Sequence, residues 1–272
     1  MTMWALSCRA AAGSVRRSIR RLRQAVEPVR VFRNWPTYFR ALGRRDDGQS
    51  VLLTRSGVRI AIRHNTWDIV IVREQFIDRS YLRYFRPRAA RAPVVVDVGS
   101  YIGDFALYCA SELGSRVLAY EPTAENYSVL QRNLELNPGI ASRITAVHKG
   151  IAHTAQAVAT VQIDGSEVHV SSYLYGDDLQ SERRLFPCDT LAEALDRDGF
   201  QTVDLLKVDC EGAEYDIFTS TPRAVYDRIG GLVFEYHRVS DWEARLEAVN
   251  ARLASAGFTL AREGSLIHAF RT

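Results

Sequence analysis

The feature that most constrains the fold of this chain is a series of short apolar runs that alternate with amphipathic stretches. Four runs, at 94–98, 116–120, 203–208 and 231–236, are rich in Val, Leu and aromatic residues, and each is long enough for one buried strand. Strands that alternate with helices form parallel βαβ units, so the sequence predicts an α/β protein with a Rossmann-like sheet. The other predicted elements are helices at 102–112, 123–136, 190–197, 214–228 (interrupted by Pro222) and 241–255, a strand at 144–148, and a closing strand pair at 257–262 and 265–271.

Two segments outside this alternation are predicted to form hairpins. Residues 51–62 turn at a Ser-Gly pair and precede a predicted helix over 65–85. Residues 154–187 contain two alternating runs joined at Asp164-Gly165, which predicts a β-hairpin insertion. The sequence therefore divides into a basic N-terminal arm (1–50), a hairpin and helix lead-in (51–92) and an α/β domain (93–272).

The net charge of +3 is unevenly distributed along the chain. Residues 1–45 hold eleven arginines and a single acid, Glu27, so this segment has a net charge of +10 and the rest of the chain a net charge of −7. Val15, Ile19 and Leu22 recur at helical spacing with arginines on the other face, which predicts a surface helix packed against the body. The alternative is a weak peripheral contact of this basic arm with an anionic partner or with lipid headgroups. The arm lacks repeated base-stacking aromatics, so no nucleic-acid partner is expected.

No signal for secretion or membrane insertion is recognisable. The apolar start precedes the arginines, the reverse of a secretory signal, and no stretch reaches the roughly 18 to 20 apolar residues of a membrane-spanning helix. We expect a cytoplasmic protein, with an organelle transit peptide as the alternative because the arm is rich in Arg and poor in acids. Cys8, Cys109, Cys188 and Cys210 form no C-x-x-C pair, which argues against a zinc site and a disulfide framework.

Polar residues follow the first two strands of the α/β domain. Asp97 lies near the end of the first strand, and Gly99 and Gly103 permit a sharp turn and the close approach of a ligand to the backbone. Their G-x-x-x-G spacing differs from the G-x-G-x-x-G of nicotinamide-binding folds. Glu121 follows the second strand, 22 residues after Gly99, where such folds place an acid that binds the ribose hydroxyls. These residues predict a nucleoside site at the carboxyl ends of the strands.

Three segments together resemble the FkbM-type S-adenosylmethionine-dependent methyltransferases. They are D-x-G-x-x-x-G-D from Asp97 to Asp104, YEPTAENYSVLQRNLELN from Tyr120, and LLKVDCEGAEYDIF at 205–218. The resemblance extends over about residues 63–239. It implies a class I methyltransferase sheet of seven strands with the last antiparallel, bound S-adenosylmethionine, and O-methylation of a hydroxyl on a small metabolite or glycan.

The resemblance also implies which residues hold the cofactor. Asp97 is expected near its ammonium, Glu121 at its ribose, and the residues after the third core strand beside its adenine. The acids that follow the strand at 203–208 are expected at its sulfonium end. The complete implied set is Asp97, Gly99, Tyr101, Ile102, Gly103, Glu121, Pro122, Gly150, Ile151, Asp209 and Glu211.

The candidate catalytic residues lie where two neighbouring strands end. Alternation along the strand at 231–236 puts Glu235 and His237 on one side, where they can meet Asp209. We favour His237 as a general base whose tautomer Glu235 or Asp209 fixes, without a metal. The alternatives are a facial site of Asp209, Glu235 and His237 for Mg²⁺, Mn²⁺ or Fe²⁺, and a purely structural histidine. Lys207, inside an apolar strand, is expected to pair with one of the nearby acids.

The acceptor pocket is expected to include Ser171, Ser172 and Tyr173 of the insertion and Trp67 of the lead-in. Hydroxyls and aromatic faces suit a sugar-like acceptor.

Two other functions stay open on the same fold, a nicotinamide-dependent dehydrogenase and a non-catalytic scaffold that uses the arm to bind an anionic partner. The glycine spacing disfavours the dehydrogenase. The joint presence of Asp97, Glu121, Asp209, Glu211 and His237 disfavours the scaffold.

Overall fold

The structure of the protein, a computed structural model, describes residues 26–86, 91–154, 156–164, 167–171, 181–197 and 199–271. Within these ranges the side chains of 156–164, 167–171 and 181–183 are not described. The strands are β1 (Gln49–Leu53), β2 (Arg59–Arg63), β3 (Val94–Val98), β4 (Arg116–Tyr120), β5 (Ile144–Val147), β6 (Gly150–Ile151), β7 (Gln156–Asp164), β8 (Glu167–Ser171), β9 (Ser181–Asp189), β10 (Leu205–Val208), β11 (Gly231–Glu235), β12 (Thr259–Glu263) and β13 (Leu266–Phe270). The α-helices include Trp35–Gly43, Asp68–Arg73, Asp104–Glu112, Ala124–Glu135, Pro138–Ala141, Leu191–Asp196, Glu214–Ser220, Arg223–Tyr226 and Trp242–Ser255.

The central element is a seven-stranded sheet with the strand order β12-β13-β11-β10-β3-β4-β5. Strands β3, β4, β5, β10 and β11 run parallel, whereas β13 runs antiparallel to both of its neighbours. This confirms the predicted α/β sheet of seven strands with an antiparallel last strand. The chain order reverses at β3, which has β4 on one side and β10 on the other. The carboxyl ends of these three strands therefore border the crevice in which open α/β sheets bind ligands.

Both faces of this sheet are covered, which explains why its inner strands are apolar throughout. Successive side chains of a strand point to opposite faces. On β3, Val96 and Val98 pack in the core that includes the helices Glu214–Ser220 and Trp242–Ser255. Val95 packs in the other core, which includes the helix Asp104–Glu112 and the lead-in layer.

The lead-in layer differs from the prediction in its helix. The spacing predicts one helix over 65–85, but the regular α-helix covers only Asp68–Arg73 and is followed by a π-helical turn at Glu74–Asp78. Arg79 then takes a left-handed backbone conformation with φ of 55°, which ends the helical run. Because of this break, the π-turn and Tyr81 both reach the cavity described below.

The predicted hairpin insertion is present as β7 and β8, which pair antiparallel with Asp164 opposite Glu167. Residues 165–166 between them lie outside the described residues. The prediction missed β9, which pairs antiparallel with β7 and parallel with β6 and so connects the insertion to the α/β domain. The sequence of β9, SERRLFPCD, does not show the pattern typical of a strand, because charged residues and Pro187 interrupt the apolar alternation.

Two asparagines of the segment YEPTAENYSVLQRNLELN hold β2 against the α/β domain. Asn133 Oδ1 accepts a hydrogen bond from the Ala61 N–H at 2.6 Å, and its Nδ2 donates to the Ala61 carbonyl at 3.3 Å. Asn137 makes the same pair of bonds with Arg59, at 2.9 and 2.6 Å. Four residues of a helix rise about 6 Å and two residues of a strand about 6.7 Å, so asparagines at i and i+4 match alternate residues of β2. The two side chains act as a substitute for a neighbouring strand.

We expect Asn133→Ala to lower the free energy of unfolding by about 2 kcal/mol or more, because both backbone groups of Ala61 lose a buried partner. Urea titration followed by circular dichroism measures this change. Arg132→Ala, on the exposed side of the same helix, is the matched control and should stay within about 0.5 kcal/mol of the wild type. Equal stability of the two variants would contradict this role of Asn133.

Candidate active site

A cavity of about 340 Å³ lies at the carboxyl ends of β3, β4 and β10. This volume lies in the range of small-molecule sites in proteins. Its wall comes from the loops that follow these strands, from the lead-in layer and from the sheet formed by β6 to β9. The crevice that the strand order creates is therefore closed on its sides by the two parts of the chain that lie outside the main sheet.

The floor of the cavity is the turn that follows β3. The backbone N–H groups of Gly99 and Ser100 both donate to the Tyr120 carbonyl, at 3.0 and 2.9 Å, which folds the turn over the end of β4. Gly99 has a φ of 75°, in the left-handed region. A Cβ built on Gly99 would lie 1.7 Å from the backbone oxygen of Asp209. Only glycine fits there, because the loops after β3 and β10 touch through their backbones.

We expect Gly99→Ala to destabilise the protein by about 4 kcal/mol or more, or to prevent folding, because both the conformation and the space exclude a side chain. Gly57→Ala is the matched control, since Gly57 also has a positive φ, 98°, but a Cβ there meets nothing within 4 Å. The control should cost only about 1 to 2 kcal/mol of backbone strain. Thermal and urea unfolding of both variants test this, and equal losses would show that the contact with Asp209 is not limiting.

Glu121 lies at the cavity and is fixed by the chain itself. Its Oε2 accepts a hydrogen bond from the Tyr101 N–H at 2.9 Å, and its Oε1 accepts from the N–H and the hydroxyl of Thr123 at 3.0 and 2.6 Å. Burial raises the pKa of the Glu121 carboxyl, and these hydrogen bonds oppose the rise. The side chain is thus held in position at the wall of the cavity.

Asp97 lies below the cavity rather than in its wall. Its side chain is fully buried, and the ammonium of Lys207 on the adjacent strand lies 3.2 Å from its Oδ1. Lys207 also donates a hydrogen bond to the Gly99 carbonyl at 2.7 Å and lies 3.8 Å from Asp209 Oδ2. Burial lowers the pKa of Lys207, but Asp97 and Asp209 outweigh this and raise it, so the side chain remains a cation. Ile102 and Gly103 also lie outside the cavity lining.

Two acids that sequence reasoning missed line the cavity. Asp104 begins the helix after the Gly99 turn, and burial raises its pKa to about 8 although Lys207 opposes the rise. Glu74 lies on the π-turn, and burial together with the charges of Glu235 and Asp209 raises its pKa to about 7. Asp104 belongs to the motif D-x-G-x-x-x-G-D, so its place at the strand edge was a usable signal. Glu74 had none, because its position depends on the π-turn.

Tyr81 joins two of the predicted catalytic acids. Its hydroxyl lies 2.9 Å from Asp209 Oδ2 and 3.1 Å from Glu235 Oε2, and the single phenolic proton is shared between them. Glu235 Oε1 accepts a second hydrogen bond from the Ser265 hydroxyl at 2.6 Å. Burial raises the pKa of Tyr81, as do the two acids, so the phenol stays protonated. Tyr81 fixes one oxygen of Asp209 and leaves Oδ1 on the side of His237.

His237 is surrounded by acids other than Glu235. Its Nδ1 lies 3.1 Å from Glu214 Oε1, and its Nε2 lies 3.4 Å from Glu211 Oε2 and 3.8 Å from Asp209 Oδ1. Burial alone lowers the pKa of His237, but the hydrogen bond to Glu214 and the charges of Glu211 and Asp209 outweigh it and raise the pKa to about 10. The ring is therefore an imidazolium at neutral pH. A protonated ring has no lone pair to accept a proton, so a general base at His237 would first have to lose this proton, and its catalytic role stays a prediction from the sequence.

The geometry of this cluster indicates which side chains are close enough to bind one divalent cation. The candidate ligand atoms of Asp209, Glu211 and His237 lie within 4.8 Å of one another, so Glu211 takes the place that the sequence suggested for Glu235. The nitrogen–oxygen distances of 3.4 and 3.8 Å exceed the roughly 3 Å between neighbouring ligands of Mg²⁺. Asp209, Glu211 and His237 are therefore the groups that could hold a cation, and the preference for a metal-free cluster stays a prediction from the sequence.

The opposite end of the cavity is apolar. Pro122, Ile151, Phe186 and Cys188 line it beside Gly150. A Cβ built on Gly150 would lie 3.0 Å from Cys188 Sγ, so the glycine allows β6 to approach β9 closely. This end offers flat apolar surfaces to a planar ring.

The predicted acceptor residues are only partly described. Trp67 lines the cavity and is 55% exposed, which places it at the mouth. The side chain of Ser171, and Ser172 and Tyr173 entirely, lie outside the described residues. Their role remains a prediction from the sequence.

Residues 97–260 match the family model of the methyltransferase FkbM domain, which covers more than half of the chain. The chain belongs to the FkbM methyltransferase family. This confirms the resemblance drawn from the three sequence segments.

Proteins named as methyltransferases are among those similar to this FkbM-family chain. The chain is similar to the 31-O-demethyl-FK506 methyltransferase FkbM of Streptomyces tacrolimicus, with 27% identity over 222 residues, 71% of this chain and 82% of that protein. It is also similar to the methyltransferase sdnD of Sordaria araneosa, with 26% identity over 63% of this chain and 75% of that protein. Among solved structures, a methyltransferase FkbM from Methylobacillus flagellatus KT aligns with a TM-score of 0.47 and 19% identity over 70% of this chain and 47% of that one.

The residues that line the cavity lie partly inside and partly outside the range that the family model matches. The residues from the strand ends, including Gly99, Glu121 and Asp209, lie inside the matched range. Trp67, Ile71, Glu74, Gln75 and Tyr81 precede it.

Proposed function

We propose that this FkbM-family methyltransferase uses S-adenosylmethionine to methylate a hydroxyl group on a small metabolite or a sugar. One observation carries the proposal: a preorganised Glu121 at the end of β4 faces a cavity that is apolar on one side and lined by acids on the other. A nucleoside with a cationic sulfur and an ammonium group presents the complementary pattern.

The residues of the cavity fit this cofactor. The Glu121 carboxylate is an acceptor for a ribose diol. The apolar end with Pro122, Ile151 and Phe186 suits a purine ring. Asp104 and Asp209, on the acidic side, suit the positive groups. When bound, the cofactor supplies an electrophilic methyl group on a good leaving group. The sequence assigned Asp97 to the ammonium of the cofactor. In the structure Asp97 lies beneath the cavity and forms an ion pair with Lys207.

The remaining work of the protein is to position the acceptor and to take its proton. Holding two reacting atoms in line at about 3 to 3.5 Å accounts for much of the rate of such a transfer. We assign the proton to Asp209 Oδ1, because Tyr81 holds the other oxygen of Asp209 and the cavity borders this residue. His237, predicted as the base, here acts as a cation that fixes Asp209 and Glu211. Trp67 and the insertion carrying Ser171, Ser172 and Tyr173 are the proposed contacts to the acceptor.

We expect Glu121→Ala to weaken S-adenosylmethionine binding at least tenfold, because charge-assisted hydrogen bonds are each worth about 1.5 to 3 kcal/mol. Isothermal titration calorimetry measures the affinity. Thr123→Val leaves the carboxylate in place but removes the hydroxyl that orients it, and should cost less than about threefold. Glu125→Ala, four residues further along the chain in the helix Ala124–Glu135, is the control and should have no effect.

Three results would count against the proposal. Unchanged affinity of Glu121→Ala would remove the assigned role of this residue. Absence of binding by the wild type would favour a non-catalytic scaffold. Binding of NADH in place of S-adenosylmethionine would favour a dehydrogenase.

The raised pKa values of Glu74 and Asp104, about 7 and about 8, predict that cation binding depends on pH. Between pH 5.5 and 7.5 the Glu74 carboxyl becomes mostly ionised and the Asp104 carboxyl begins to ionise, while most of the amino group of the cofactor stays cationic. S-adenosylmethionine affinity should therefore rise about tenfold over this range. Adenosine, which lacks both positive groups, is the control ligand and should bind equally at the two pH values. Glu74→Gln should reduce the dependence, and a flat profile for both ligands in the wild type would contradict it.

A further inference from the structure

One helix outside the site exposes an apolar stripe. Trp35, Phe39 and Leu42 of Trp35–Gly43 are 41%, 36% and 43% exposed, and their spacing places them on one face. The rings of Trp35 and Phe39 meet edge to face at 6.1 Å, so the stripe is continuous. Tyr38 and Ala41 are buried and attach the other side of the helix to the lead-in layer.

The stripe is a concentration of exposed apolar area rather than scattered residues. Among the described residues, seven large hydrophobic side chains are strongly exposed, and four of them lie between Val26 and Leu42. Exposed apolar residues that cluster in this way mark an interaction surface.

The charge around the stripe is positive, because residues 26–47 hold five arginines against three acids, Glu27, Asp46 and Asp47, and Asp46 pairs with Arg44 at 2.8 Å. Arg30, Arg33, Arg40, Arg44 and Arg45 are all exposed on or beside this helix. They belong to the eleven arginines of residues 1–45, whereas the rest of the chain carries a net charge of −7. A surface of anionic groups attracts this end of the molecule and repels the rest, which sets the orientation of contact.

We propose that the helix Trp35–Gly43 docks parallel to an anionic lipid membrane, with Trp35, Phe39 and Leu42 inserted at the headgroup boundary and the surrounding arginines on the phosphates. Helices with an apolar face and arginines beside it bind membrane surfaces in this way. Leu42 and Val26 offer no ring for stacking, which favours lipid over single-stranded RNA as the anionic partner. No helix of the described residues is long and apolar enough to cross a bilayer, so the contact is peripheral. This inference is independent of the proposed methyl transfer.

Vesicle co-sedimentation of the full chain tests the proposal. Vesicles of phosphatidylglycerol and phosphatidylcholine should bind the wild type at least tenfold more tightly than vesicles of phosphatidylcholine alone. Trp35→Ser/Phe39→Ser/Leu42→Ser should lose at least tenfold in affinity for the anionic vesicles. Arg40→Glu/Arg45→Glu should lose a similar factor at low salt and less at high salt.

The matched control is Leu185→Ser, because Leu185 is 58% exposed but lies on β9, away from this helix. It should bind anionic vesicles as the wild type does. Thermal unfolding of every variant confirms that the exposed substitutions leave the fold intact. The proposal is overturned if the wild type does not bind anionic vesicles, if the triple serine variant binds them equally well, or if the chain binds an oligouridine but not vesicles.

Discussion

The site depends on one buried cation, the ammonium of Lys207. It lies between the carboxylate of Asp97 and the carbonyl of Gly99, approaches Asp209, and stands 5.4 Å from the ring centre of Tyr81. Removing one partner of a buried ion pair leaves an uncompensated charge, which typically costs 3 to 5 kcal/mol. Lys207 therefore holds β3, β10 and the lead-in layer in one arrangement, and the Gly99 turn, to which we assign the nucleoside, is part of it.

The positive charges of Lys207 and His237 do not neutralise all the carboxylates around them. Glu74 and Asp104 have pKa values of about 7 and 8 in the folded protein, above their ordinary values of 4.5 and 3.8. The folded state then binds protons more tightly than the unfolded state, so the contribution of these groups to stability is present at low pH and is lost as the pH rises from about 4 to 8. Deprotonation of these carboxyls at neutral pH therefore costs free energy in the folded protein. A cationic ligand lowers this cost, which is a physical reason for the proposed cofactor.

The sequence predicted the elements whose pattern is local. The apolar runs gave β3, β4, β10 and β11, because a strand covered on both faces must be apolar along its length. The cavity edge followed from the strand order, and Gly99, Glu121 and Asp209 line it as expected. The misses have non-local causes. β9 is defined by its partners, and the π-turn at Glu74–Asp78 by tertiary packing.

The division of the cavity also bears on specificity. The end of the cavity to which we assign the nucleoside is made by strand ends inside the family match. The opposite wall is made by Trp67, Glu74 and Tyr81, which precede the matched range. A substrate bound there contacts residues whose positions depend on the left-handed break at Arg79 and on the π-turn before it. Tyr81 connects the two ends, because its hydroxyl holds the Asp209 carboxylate to which we assign the proton. The lead-in layer therefore orients the acid to which we assign the proton, and in the proposed mechanism acceptor choice and proton transfer are coupled through this one hydrogen bond.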